Sequence, residues 1–232
     1  MDALAMDVVF TVVGLVILVR AADVFVDGAV GLSRRFGLSP VIVGAVVIGL
    51  GTSVPELLVS VIAAANGDAS LGVGNVIGSN IANLSLVLAV AAMVAPMAVH
   101  SSIVRREAPI SFLAVAAFAL ALQGGLTRGD GVLLLVALVL VMIVTVRSAT
   151  RAGNEELVEE VEHVLAEIPA RRVVLLTVVG LLGTALGAQL LVDGSVGLAT
   201  ELGLSEGFVG LTLVAVGTSL PELVTAVQAA RR

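Results

Sequence analysis

The 232-residue sequence predicts an all-α polytopic membrane protein of about seven transmembrane helices, built from two copies of one unit inserted upside down relative to each other. Three observations carry that prediction. The chain is 59% hydrophobic and 13% charged, with a mean hydropathy of +1.16, beyond what a soluble domain of this length carries. Apolar runs of about 20 residues, the length needed to cross roughly 30 Å of hydrocarbon, recur along the chain. The phrase Gly51-Thr52-Ser53-Val54-Pro55-Glu56 returns as Gly217-Thr218-Ser219-Leu220-Pro221-Glu222, each copy inside an apolar run.

On the length rule the spans fall near 4–30, 40–65, 71–95, 103–122, 130–148, 172–198 and 206–230. Ser39-Pro40 supplies an N-cap and first-turn proline, and Asn66-Gly67-Asp68 a tight turn. Gly124-Gly125 and Arg128-Gly129-Asp130 mark a further loop. Five spans make a first repeat over 1–148, an acidic loop occupies 149–171, and two spans over 172–232 begin a second repeat. In that loop Leu157, Val161, Val164, Leu165 and Ile168 recur at helical spacing among glutamates, so 154–167 reads as a solvated amphipathic helix with Asn154 as N-cap. No EF-hand spacing is present in it.

Arginine placement predicts orientation. Arg34 and Arg35, Arg105 and Arg106, Arg147 with Arg151, Arg171 and Arg172, and Arg231 with Arg232 fall on one set of alternate connections; the opposite set has only Arg128. Basic residues mark the cytoplasmic side, which puts the N-terminus outside. The repeat agrees. At an offset of 166 (56 to 222), Val8–Ala64 and Val174–Ala230 align without a gap, with 27 identities in 57 positions. Five spans separate the copies, an odd number, so the second copy is inverted, a common plan among secondary transporters. The matching connections Arg34-Arg35 and Thr200-Glu201 accordingly differ in charge.

Composition narrows the chemistry. There is no cysteine, which excludes disulfides and thiolate metal sites, and no Trp or Tyr to form interfacial belts. His100 and His163 have no partners at metal-ligand spacing. Ser53 and Ser219 have no membrane-embedded His or Lys as base, which argues against an intramembrane hydrolase, and nothing suggests a nucleic-acid partner. Asp27 and Asp193 fall toward the ends of their spans, and Arg20 snorkels or pairs with Asp23.

A carboxylate within a membrane helix marks a functional site by default, and here two stand in matched settings. Pro55 removes a backbone donor and frees the carbonyl near Gly51, which is tolerated in a membrane only where it lines a cavity or meets protein. Thr52, Glu56 and Ser60 are four apart and would share one helix face. The next span adds Asn75, Ser79 and Asn83, again four apart, beside Gly74, Gly78 and Ala82, small residues that let helices approach closely. Asn75 and Ser79 either join helices or reach the glutamate of a neighbouring span. Every candidate ligand is an oxygen, which suits hard cations such as Ca2+ or Na+ and not zinc or copper.

With Gly51–Glu56, Gly217–Glu222 and the run Gly74-Asn75-Val76-Ile77-Gly78-Ser79-Asn80-Ile81-Ala82-Asn83 in view, the chain resembles the sodium/calcium exchanger family of calcium/cation antiporters. The resemblance implies an inverted-repeat antiporter fold of ten helices with alternating access and no enzymatic activity. Glu56 and Glu222 would be its central acidic ligands, with Thr52, Ser53, Ser79, Asn83, Thr218 and Ser219 around them. Asn83 would join the two glutamates as a ligand of Ca2+ or Na+, ions that are transported; no cofactor is implied. It also implies the plasma membrane, in a prokaryote the inner membrane, with lipid as surroundings. The pattern continues past this chain: the partners of Ser79 and Asn83 would stand at positions 245 and 249, so the sequence reads as truncated in the second repeat, either as a fragment or interrupted gene or with its missing C-terminal helices supplied by a separate chain. A proton-coupled cation antiporter and a non-transporting truncated membrane protein are the alternatives.

Overall fold

The computed structural model describes residues 3–36, 43, 49–96, 105, 108–152 and 169–230, and among them it is helical with no strand. The helices are α1 (Ala3–Arg35), α2 (Gly49–Thr52), α3 (Val54–Asn66), α4 (Ala69–Ala82), α5 (Leu88–Val94), α6 (Ala108–Gln123), α7 (Arg128–Ala152), α8 (Ala170–Leu202), α9 (Glu206–Val209), α10 (Ala215–Thr218) and α11 (Leu220–Ala230). Single π-helical turns, Asn83–Val87 and Gly210–Val214, join α4 to α5 and α9 to α10. Among the described residues five stretches are long and apolar enough to cross a membrane: Ala3–Ser33, Ala69–Val94, Arg128–Arg147, Ala170–Leu202 and Glu206–Val227. The expected second and fourth spans correspond to the shorter apolar helices Val54–Asn66 and Ala108–Gln123. The expected amphipathic helix over 154–167, with His100 and His163, lies outside the described residues.

The long helices α1 and α8 form the centre. A Cβ placed on Gly14 would strike the backbone of Gly187 and Leu191, one on Gly28 the backbone of Thr177, and one on Gly31 the side chain of Val173. One residue number rises as the other falls, so the helices run antiparallel. Adding 166 to the α1 residues and subtracting it from the α8 residues exchanges the partners: Gly180 lies against Phe25, Gly194 against Thr11 and Gly197 against Asp7. This seam is thus a self-complementary pairing of two equivalent helices about a local twofold axis, which is what an inverted repeat requires. Small residues permit the close approach, as membrane helices have little hydrophobic force to drive their association.

Both helices overrun their expected spans, ending at Arg35 and Leu202 and not near 30 and 198. Asp27 and Asp193 therefore lie within helices and not at helix ends, contrary to the sequence expectation. Gly203, in the left-handed region at φ 66°, stops α8, and Gly67 at φ 99° stops α3 by turning its N–H back to Ala63 and Ala64.

Around this pair, α3 packs on α4, and α4 packs on α9, the second π turn and α10. Glycine again sets the distance: Gly74 lies against Gly207 and Leu211, Gly78 against Leu211 and Ala215, and Gly210 against the Leu71 carbonyl. The buried core of Leu18, Val59, Ala63, Leu71, Ala188, Leu191, Val192, Ala199, Val209 and Val214 ties both repeats together.

Candidate functional site

Both glutamate phrases break their helix at the serine. Ser53 has φ −87° and ψ 6°, and Ser219 φ −83° and ψ 5°, so the two interruptions are nearly superimposable in backbone geometry. Pro55 and Pro221 supply no N–H, and each helix is tied back to its break two residues later, by Leu57 N–H to Ser53 O at 3.1 Å and Leu223 N–H to Ser219 O at 3.1 Å. Glu56 and Glu222 thus stand in the first turns of α3 and α11. Helix N-termini favour negative charge.

The expected common face of Thr52, Glu56 and Ser60 does not form as one surface, because the break at Ser53 separates Thr52 from the other two. Thr52 donates to the Gly49 carbonyl at 3.4 Å, and its side chain and that of Ser53 approach the Glu222 carboxylate. The mirror arrangement holds for the other acid: Thr218 and Ser219 approach Glu56, and the Ser219 hydroxyl donates to Glu56 Oε1 at 3.4 Å. Each glutamate therefore faces the Thr-Ser pair of the opposite repeat, and the two acids lie within electrostatic reach of each other.

Asn75 holds this crossing together. Its Nδ2 donates to the Glu56 carbonyl at 3.2 Å and to Ser60 Oγ at 3.0 Å, while its Oδ1 accepts from Thr218 Oγ1 at 3.2 Å. Asn75 and Thr218 are both fully buried. The sequence left Asn75 undecided between glue and ligand; it is a bridge that fixes the α3 main chain to α10. The four-residue spacing of Glu56 to Ser60 and of Asn75 to Ser79 was the available signal.

Among the described residues, four buried side-chain oxygens in this region have no hydrogen-bond partner: Glu56 Oε2, Glu222 Oε1 and Oε2, and Asn83 Oδ1. Asn83 opens the π turn that packs on α11, the helix carrying Glu222. π turns interrupt regular helix at functional sites more often than elsewhere. Ser79 is buried, with its hydroxyl donated to the Val76 carbonyl at 3.3 Å. No group of three or more His, Cys, Asp or Glu side chains is placed to hold a metal among the described residues. Any cation here meets two carboxylates together with hydroxyl and amide oxygens.

The two halves are unequally covered. Thr218 and Ser219 are buried beneath α4, whereas Thr52 is half-buried and Ser53 exposed. The Asn75 amide of α4 holds the Glu56 carbonyl, and no described helix plays that part for Glu222.

Comparison with known proteins accords with this geometry. The family described as sodium/calcium exchanger protein matches residues 6–147 and 172–232. The inner membrane protein YrbG of Escherichia coli (strain K12) is 40% identical over 229 residues, which cover 95% of this chain and 70% of that relative. The putative antiporter CaxA of Alkalimonas amylolytica is 37% identical over 218 residues, covering 93% of this chain and 68% of CaxA. Among solved structures, the sodium-calcium exchanger NCX_Mj soaked with 10 mM Na+ and 10 mM Sr2+ superposes with a TM-score of 0.57 at 32% identity, over 99% of this chain and 73% of that one. The chain is a transporter-type membrane protein and not an enzyme, and it belongs to the sodium/calcium exchanger protein family.

Proposed function

We propose that this protein is a membrane antiporter exchanging Ca2+ for Na+ by alternating access, with Glu56 and Glu222 as the acidic ligands and Thr52, Ser53, Ser79, Asn83, Thr218 and Ser219 around them. The observation that carries the reading is the set of buried, unpaired oxygens on Glu56, Glu222 and Asn83. Buried polar atoms without partners are costly, and acceptor oxygens facing one another are relieved by a cation. Two carboxylates neutralise one Ca2+, or hold Na+ ions at the same oxygens in turn, and that mutual exclusion is what exchange needs. The broken helices supply the remaining oxygens, toward the six to eight that Ca2+ takes.

Inverted repeats support alternating access, because two equivalent halves about a twofold axis give states of similar energy open to opposite faces. The names of the related proteins agree with antiport, and YrbG supports an inner-membrane location. The arginine bias supports an external N-terminus.

The test is uptake of radioactive Ca2+ into proteoliposomes containing the protein, driven by an outward Na+ gradient. Uptake that collapses when the Na+ gradient is dissipated is expected. Uptake driven by a pH gradient and indifferent to Na+ assigns proton coupling instead. No uptake under either gradient, by correctly inserted protein, overturns transport by this chain.

A further inference from the structure

The face of α1 turned away from the site carries a surface that the proposed transport function does not use. Val9, Val13, Val16, Arg20, Asp23 and Asp27 recur at alternating spacings of four and three, and all six are exposed. That spacing is the seam of a two-stranded coiled coil. Leu15 packs on Gly217 and Val26 on Gly51, about 100° around the helix from this seam, so the two faces are separate.

Three of the six residues are ionisable and stand within the apolar helix Ala3–Ser33. Intramembrane charges are found paired or buried against protein. Arg20 and Asp23 can pair within their own helix at i, i+3, but one carboxylate cannot satisfy the five N–H donors of a guanidinium.

Further helices completing a second repeat would not cover this stripe. The twofold axis maps it onto Leu175, Val179, Leu182, Leu186, Gln189 and Asp193 of α8. There α6 and α7, the late helices of the first repeat, leave Leu175, Val179, Leu182, Leu186 and Asp193 exposed, and only Gln189 is half-buried. The polar pair on α8 satisfies itself, Gln189 Nε2 donating to Asp193 Oδ1 at 2.8 Å. The stripe on α1 has Arg20 where α8 has Leu186, so of the two stripes only that of α1 presents a cation beside its carboxylates.

We propose that this stripe is a homodimer seam, its occupant the α1 stripe of a second copy. A twofold axis along the membrane normal sets the two α1 helices parallel, with Val9, Val13 and Val16 of each copy meeting in one half. In the other half Arg20 of each copy reaches Asp23 of the other, one helical turn away. Each guanidinium then has two Asp23 carboxylates within reach, its own and its partner's, with Asp27 of each copy one turn further on. Arg20 of one copy complements Asp23 of the other in both directions across the axis, which selects a second copy over an unrelated apolar helix.

The chain has no cysteine, so single substitutions report on single positions. Val13→Cys and Val16→Cys, expressed in membranes and oxidised with copper phenanthroline, are expected to give a disulfide-linked species of twice the chain mass. Leu133→Cys, on the exposed surface of α7, is expected to give none. In the Val16→Cys background, Arg20→Gln should lower the cross-link severalfold and Arg20→Asp at least tenfold, and Asp23→Arg added to Arg20→Asp should restore it. Absence of the dimer band at both valine positions overturns the proposal. So does equal cross-linking at Leu133, a product of another mass, or cross-linking that Arg20→Gln and Arg20→Asp both leave unchanged. Ion exchange is not part of the readout, so this result and the transport result stand or fall separately.

Discussion

Thr218 donates a hydrogen bond to Asn75 at 3.2 Å across 143 residues of chain, and both side chains are fully buried. The same asparagine holds the Glu56 carbonyl and Ser60, so one amide joins the helix break of the second repeat to the glutamate-bearing helix of the first. Removing it should do two things at once. Asn75→Ala leaves Thr218 and the Glu56 carbonyl short of partners at a cost of about 1–3 kcal/mol. The expected outcome is a lower thermal midpoint in detergent and Ca2+ uptake reduced at least tenfold. Asn75→Asp, which keeps an acceptor for Thr218 but loses both donors, should retain part of the stability and little of the uptake.

Glu56→Gln and Glu222→Gln conserve volume and remove one charge each. If these acids bind the transported cation, either change should lower Na+-driven Ca2+ uptake at least a hundredfold with normal membrane insertion. Uptake that survives Glu56→Gln at normal expression would remove that residue from the mechanism.

Protons compete with cations for carboxylate oxygens. Half-saturating Ca2+ for uptake should therefore rise as pH falls. The sign follows from mass action: the cation binds the deprotonated acids, so adding protons withdraws the competent form. Half-saturating Ca2+ that stays constant over the pH range in which transport is measurable would contradict a site built on two glutamates.

The glycine seam between α1 and α8 makes a symmetric prediction. Gly28→Ala and Gly194→Ala are related by the twofold axis, and each Cβ would collide with main-chain atoms of the facing helix. Each should destabilise the protein by about 1–3 kcal/mol, by similar amounts, in thermal unfolding followed by size-exclusion chromatography. Gly131→Ala in α7, with open space around it, should change stability little.

Orientation can be read with two further cysteines. Ala69, opening α4, and Ala170, opening α8, are both exposed. An impermeant thiol reagent applied to intact cells should label Ala69→Cys and spare Ala170→Cys. Labelling of both from the same side would break the proposed topology.

The sequence by itself determined a membrane protein with a duplicated unit, the inversion of that duplication, and the two phrases that carry Glu56 and Glu222. Those properties reside in hydropathy and in identities at a fixed offset, both of which are local or periodic. It did not determine where the helices break or end. Proline announced an interruption near residue 55, but the chain turns at Ser53 and Ser219, because the following helix forms around the missing donor. It placed Asp27 and Asp193 at helix ends, since a length rule ends a span after about 20 residues, whereas the glycine seam keeps α1 and α8 packed over 33 residues each. Only the tertiary structure decided that each glutamate faces the Thr-Ser pair of the other repeat and that Asn75 bridges them. Those relations depend on how closely α4 approaches the second repeat through Gly74 and Gly78, a distance set by packing between segments that no local pattern encodes.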